Sequence, residues 1–364
     1  MVPSREMFYI GGRYVEGHAG HHNMQGQMYV ERLFPSPTNE TRPYPLVFVH
    51  GGTRTGADWL TKPDGEPGWA DYFLSQGYEV YLVDAPFRGR SAWYPNVDDV
   101  MVISAETIQK NFTACASYGT WPQARFHTQW PGTGVMGDQV FDRFFASGVQ
   151  MIKNQELQES ASQEALVALL DRIGEPVVIL AHSNGGGVSY LIADARPHLV
   201  KAIVSFEPKG PPFSRSAMLS SHGNQYGVCQ APITYDPPVG DPAADLITAT
   251  RKAGDPDLMD ATLQAESPTP RKLINLLHIP VLVVTAEASY HAEYDWCSVE
   301  YLRQAGVETE HLKLKDRGIL GNGHMMFMES NSDEIARAIH NWITETLTRL
   351  GTLEAMNTGH RHLD

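Results

Sequence analysis

The sequence predicts an α/β fold: a mostly parallel sheet with helices on both faces. Three observations predict it. Short runs that are apolar nearly from end to end recur along the 364 residues, as in Leu46 to His50, Val177 to Leu180 and Pro280 to Thr285. Strands buried on both faces of a parallel sheet read this way. Between such runs lie stretches with apolar residues at helical spacing, as in Glu156 to Ile173. Strand and helix then alternate, which is the order of a parallel sheet. No internal repeat is visible. The expectation is one domain, 1–364, with insertions at 92–154 and 208–270 forming a cap above the C-terminal ends of the strands, where ligands sit in open α/β sheets.

The elements follow in order. Phe8 to Val15 and Gln27 to Leu33 are rich in β-branched and aromatic residues and read as two antiparallel opening strands. The histidines between them, His18, His21 and His22, have no Cys or carboxylate pair beside them and read as a solvated loop. Leu46 to His50 is the next strand, Gly68 to Ser75 a helix, and Tyr78 to Val83 a strand ending at Asp84. Ala92 to Asn154 break the rhythm with Trp93, Phe112, Trp121, Phe126, Trp130 and other aromatics. A loop this long inside a compact domain has structure or function of its own. Glu156 to Ile173 is a helix, Val177 to Leu180 a strand, and Val188 to Ala195 a helix stopped by Pro197. Lys201 to Phe206 is a strand, and Pro208 to Pro270 is irregular. Strand Pro280 to Thr285, helix Asp295 to Gly306, strand His311 to Leu314 and the amphipathic helix Asp333 to Leu350 close the chain, with a polar, frayed tail expected from Gly351.

The chemistry gathers at Ala181-His182-Ser183-Asn184-Gly185, between an apolar strand and a helix. This small-x-Ser-x-Gly string in that setting is a nucleophile elbow, a strained turn that lifts the serine hydroxyl clear of the sheet. The residues two before and two after the serine crowd each other, so both are small. The N–H of Asn184 is placed to hold a developing oxyanion, and the Gly52 N–H of the string His50-Gly51-Gly52-Thr53 is the second candidate donor, with Thr53 beside it. A serine near neutral pH needs a base, and the base needs an orienting carboxylate. His324, after the last strand and between glycines, is the candidate base. For the acid, Glu207 at the end of its strand is preferred to Glu287 and Asp295, while Ser289 fills the place where many hydrolases of this order carry Asp. Asp84 precedes the nucleophile and reads as an organiser of its own loop. Trp130, Phe126 and Thr53 are the candidate substrate-binding residues. The chemistry calls for no metal and no cofactor.

A net charge of −14 argues against nucleic acid or an anionic membrane surface as partner. No apolar run is long enough to span a bilayer. The three cysteines, Cys115, Cys229 and Cys297, are an odd number without metal-like spacing and favour a reducing compartment. Residues Met1 to Glu16 lack the order of a signal peptide. A cytoplasmic protein is therefore expected, the alternative being a secreted one whose leader is gone.

Several stretches resemble the α/β-hydrolase superfamily, and within it carboxylesterases whose Ser-Glu-His triad takes its Glu from the end of the sixth strand. They are Phe8 to Val15, Gln27 to Val30, His127-Thr128-Gln129-Trp130-Pro131-Gly132 and Gly321-Asn322-Gly323-His324-Met325-Met326. The resemblance implies Ser183 as nucleophile, Glu207 as acid and His324 as base. One departure is that some relatives carry adjacent cysteines where this chain has Gly52 and Thr53. The expected activity is hydrolysis of a carboxylic ester or lactone through an acyl-enzyme. The alternative is the same triad turned to cyclisation, isomerisation or acyl transfer on an apolar or aromatic metabolite. The expected partner is a small ester or lactone; a homodimer is left open.

Overall fold

Alternation along each central strand sorts its side chains between two cores. The computed structural model describes residues 4–94, 97–215 and 223–359, the last seven as backbone only. Pro95 and Asn96 of the first insertion, 216–222 of the second, and His222 with them, lie outside the described residues. The sheet has eight strands: β1 (Arg5–Glu16), β2 (His22–Leu33), β3 (Leu46–Val49), β4 (Val80–Asp84), β7 (Val177–His182), β8 (Val200–Phe206), β11 (Val281–Thr285) and β12 (Thr309–Lys313), in the spatial order β1-β2-β4-β3-β7-β8-β11-β12. The remaining four strands are short and lie in the insertions. From β4 to β12 every pairing is parallel. β1 and β2 form the antiparallel hairpin at one edge, with β2 antiparallel to β4.

Val47, Val49, Ile179 and Ala181 face one core, together with α5 (Gln155–Ile173), α6 (Asn184–Ala195) and α8 (Asp295–Gln304). Leu46, Phe48, Val178 and Leu180 face the other, together with α1 (Trp69–Ser75) and α9 (Ser332–Gly359). That period of two is why the runs are apolar throughout. The helix ends are chemically specified. Asn154 caps α5 by accepting from the Leu157 N–H at 3.0 Å, and Gly174 ends it at φ 73°. The closing helix runs on to Gly359, past the expected frayed start at Gly351. No helix among the described residues is long and apolar enough to cross a membrane.

The first insertion carries β5 (Val100–Met101), α2 (Ala105–Ile108), a π-helical turn at Gln109–Thr113, α3 (Cys115–Tyr118), α4 (Gln139–Ala146) and β6 (Met151–Ile152). β5 pairs with β6, so the segment is tied at its neck. The second insertion is less irregular than its prolines imply. It holds α7 (Pro242–Asp245) and the hairpin of β9 (Thr248–Arg251) with β10 (Ala261–Gln264). Ala261 and Leu263 join the core beside α8, and the Thr234 hydroxyl donates to Asp194 of α6 at 2.9 Å.

Candidate active site

The strand–turn–helix at Ser183 is the elbow that its residues imply. Ser183 sits at φ 53° and ψ −117°, between β7 and α6. A side chain held there costs about 1–3 kcal/mol, and persists only when its surroundings fix it. Three backbone bonds do so. The Ser183 N–H donates to Phe206 O at 3.0 Å, and its carbonyl accepts from Gly186 N at 2.9 Å and Lys209 N at 3.0 Å. The small residues are a packing necessity. A Cβ on Gly185 would meet Val49 O at 2.8 Å and His50 O at 2.9 Å, and one on Gly186 would meet Pro208 Cβ at 2.5 Å. Alanine normally improves on glycine in a helix by about 1 kcal/mol. Gly185→Ala should instead destabilise by about 1–3 kcal/mol through overpacking, read as a lower urea midpoint; a raised midpoint would refute the crowding.

The loop after β3 lies alongside. Arg88 Nη1 donates to Gly51 O at 2.8 Å, and His50 braces the turn through Ala85 N–H to Nε2 at 2.9 Å and Nδ1 to Gly51 O at 2.9 Å. Burial, aided by Arg88, pushes His50 down to about 4, so it is the neutral ring these bonds require. Thr53 adopts φ 56°. The backbone N–H groups of Gly52 and Thr53 reach no protein acceptor among the described residues, and that of Asn184 opens α6, where helical N–H groups have no internal partner. Asp84 does organise its loop: it accepts from Gly56 N at 2.9 Å and from Arg90 N and Nε at 2.8 Å each.

His324 Nδ1 lies 2.6 Å from Glu207 Oε2. Glu207 directly follows β8, at φ 48°, and is wholly buried. It also accepts from Ala286 N at 2.8 Å and from the Ser289 hydroxyl at 2.6 Å. Ser289 therefore supports the carboxylate from the place where another chain would supply one. Burial pushes the Glu207 carboxyl up from the ordinary carboxylate value, while the His291 ring and the Ser289 and Ala286 donors pull the other way. Burial, with the nearby rings of His182 and His291, holds His324 well below the ordinary imidazole value. The other candidate acids are occupied elsewhere. Glu287 accepts from Gly321 N at 2.9 Å, and Asp295 binds His291 Nδ1 at 2.8 Å and the Thr285 hydroxyl at 2.7 Å.

Ser183, Asn184, Gly52, Thr53 and His324 border one cavity of about 480 Å³. Met101, Ile103, Ile108, Phe112, Phe144 and Met151 of the first insertion give it an apolar wall; of the second insertion, only Lys209 reaches it among the described residues. Trp130 and Phe126 do not line it, which corrects the expectation for both. Trp130 is buried against Phe144, ring centroids 5.2 Å apart, and Phe126 is at the surface beneath Arg125. The stretch around Trp130 braces the histidine loop instead. Thr128 N and Gln129 N donate to Gly321 O, and His127 Nε2 lies 2.7 Å from Glu329, which also receives Asn322 Nδ2 and Gly323 N. Composition reports aromatic content but not which way a ring points.

Sequence reasoning gave no role to His182, Tyr290, His291 or Lys209. The His182 ring sits 4.4 Å from that of His324 and its Nε2 donates to His324 O at 3.0 Å. The His291 ring stacks on His324 at 4.8 Å, and the Tyr290 hydroxyl is 3.4 Å from His324 Nε2. Their only signal was proximity in sequence: His182 precedes Ser183, Lys209 follows Glu207 by two residues, and Tyr290 and His291 follow Ser289.

This frame has counterparts among known proteins. A protein named probable secreted lipase phiG, from Fungal sp. (strain ATCC 74256), is 47% identical over 336 residues, 92% of this chain and 88% of that protein. A solved structure described as a novel bacterial esterase superposes with a TM-score of 0.62 at 21% identity, covering 94% of this chain and 96% of the other, a likeness of fold. The sequence pattern described as the alpha/beta hydrolase family matches residues 46–338, from the first parallel strand into the closing helix. An elbow after β7, a parallel sheet of this order and that match together make the chain a member of the alpha/beta hydrolase family.

Proposed function

We propose that the protein is a serine hydrolase that cleaves a carboxylic ester or lactone through an acyl-enzyme, with Ser183 as nucleophile, His324 as base and Glu207 as its orienting acid. The observation that carries this reading is the 2.6 Å contact between His324 Nδ1 and Glu207, with Ser183 raised at φ 53° beside the same cavity. In this mechanism Glu207 keeps the Nδ1 proton, so Nε2 is free to take the proton of Ser183 Oγ as it attacks the carbonyl. The Tyr290 hydroxyl near Nε2 swings aside for the serine proton, since catalytic hydrogen bonds often align only with substrate bound. The N–H groups of Asn184 and Gly52, with Thr53 beside them, hold the tetrahedral oxyanion, each donor lowering the barrier by about 3 kcal/mol. His324 then protonates the departing alcohol, and water repeats the sequence to free the acid. We read the wall from the first insertion as a cap that selects an apolar body. The name of the 47% identical relative supports ester chemistry and favours export over a cytoplasmic setting.

The test pairs labelling with a pH profile. A fluorophosphonate should modify Ser183, seen by peptide mass, and short-chain p-nitrophenyl esters should turn over. His324 acts only when neutral. Burial lowers its pKa, so kcat/KM should hold steady as pH falls past about 6.5 and drop only below it. An acid limb at or above the ordinary imidazole value would refute the assignment of the base. Labelling without turnover of any ester would favour acyl transfer or isomerisation at the same serine.

A further inference from the structure

The cavity beside Ser183 has a charge asymmetry that the apolar wall does not explain. Among the described residues three cations border it, Arg54, Lys153 and Lys209, and no carboxylate does. Two of the cations are already neutralised. Arg54 forks onto Asp58 at 2.6 and 2.7 Å, and Lys153 pairs with Asp99 at 3.3 Å. Lys209 is different. It is 9% exposed and no carboxylate pairs with it among the described residues. The one hydrogen bond of its ammonium among the described residues is a 3.5 Å contact from Nζ to Gln155 Oε1. Glu159, the acid whose charge acts on Lys209, accepts instead from Gln230 N at 2.7 Å and Ala231 N at 2.9 Å. Burial lowers the Lys209 pKa, and Glu159 pulls it back up.

An ammonium left almost bare in such a place is costly unless something supplies its counter-charge. Its position is fixed by the elbow itself, since the Lys209 N–H donates to Ser183 O at 3.0 Å. The Asn184 side chain stands on the other side of Gln155, its Nδ2 3.4 Å from the same Oε1. One part of the cavity lining therefore offers an ammonium and two amides next to the reacting serine. The chain as a whole carries −14, so this corner runs against the charge of the molecule around it.

We propose that Lys209, with the amides of Gln155 and Asn184, binds a carboxylate on the substrate, so that the natural ester or lactone is a half-acid bearing that carboxylate close to its scissile carbonyl. The assignment rests on the ester-hydrolase reading above and narrows it. One ammonium balances one negative charge. A dianionic phosphate would leave a surplus charge buried in the same corner, whereas a carboxylate would not. The apolar wall then receives the remainder of the molecule.

The test compares p-nitrophenyl hydrogen succinate with p-nitrophenyl butyrate, esters of similar length that differ in the terminal carboxylate. The wild-type protein should favour the succinate in kcat/KM. Lys209→Met should cut that preference by about 10- to 100-fold, chiefly through KM, as expected for one charged hydrogen bond. Lys209→Arg should keep most of it. A preference unaltered in Lys209→Met, or a wild-type protein that favours the butyrate, would overturn the proposal. Binding separates this from failure of the hydrolase reading. Ser183→Ala should bind the succinate ester more tightly than Ser183→Ala/Lys209→Met by calorimetry, whether or not the wild type turns it over. If Lys209→Met does not fold, the affinity of Ser183→Ala for the succinate is measured at low and high salt. Weakening with salt supports the site, and indifference to salt refutes it.

Discussion

Ser183→Ala should lower kcat for an activated ester by a factor on the order of a million while leaving the protein as stable as before. The magnitude is what removal of the nucleophile alone costs where nucleophile, base and acid act as a unit. Stability should hold because the Ser183 hydroxyl makes no hydrogen bond among the described residues, and the strained φ of 53° is as hard for serine as for alanine. The three bonds that fix the elbow use the backbone of residue 183 and survive the change. Kinetics with p-nitrophenyl butyrate and a urea titration on the same preparation check both halves. A loss below about a hundredfold with an unchanged urea midpoint would assign the chemistry to another group.

Glu207→Gln should slow turnover by about a thousand- to ten-thousandfold, because an amide at this position favours the wrong tautomer of the base. Glu207 Oε2 accepts from both the Ser289 hydroxyl and His324 Nδ1. If the amide NH₂ takes that place, His324 must present a bare Nδ1 to it, and its proton moves to Nε2. The ring then has nowhere to receive the serine proton. If the amide oxygen takes that place, its NH₂ faces the Ala286 N–H, donor against donor. Either arrangement strands a buried polar group, so a stability loss of about 1–3 kcal/mol should accompany the kinetic one. The distinguishing measurement is the double variant. Ser183→Ala/Glu207→Gln should be no slower than Ser183→Ala, since a base without a nucleophile contributes nothing. Additive losses would mean that Glu207 acts apart from Ser183, and a single variant within tenfold of wild type would remove it from the mechanism.

Much of the fold and the centre of the site was legible in the chain because those features are local. An apolar run shows a buried strand whatever surrounds it, and Ala181 to Gly185 carry the steric demands of their turn in their own sizes. The choice of Glu207 over Glu287 and Asp295 also rested on something local, its place at the end of a strand. The amphipathic pattern ends at Leu350, before a polar tail that reads as frayed, yet the helix continues to Gly359. The second insertion read as irregular because its hairpin of β9 and β10 is short and set among prolines and glycines, with one strand wholly exposed.

Trp130 and Phe126 show where local reasoning ends. Both are aromatic and both fall in the segment that walls the cavity, yet Trp130 turns to Phe144 and Phe126 to the surface. Lys209 shows the reverse: nothing in its neighbours in sequence says that it ends buried with no carboxylate paired to it among the described residues. By itself the sequence determined the sheet, the elbow and the identity of its serine, since strand burial and turn sterics are properties of a few consecutive residues. Only the tertiary structure decided which side chains meet across the cavity, brought the carboxylate of Glu207 to the histidine 117 residues later, and left the Lys209 ammonium without a paired carboxylate among the described residues. Those contacts depend on how distant segments pack, and packing direction is not written in any one of them.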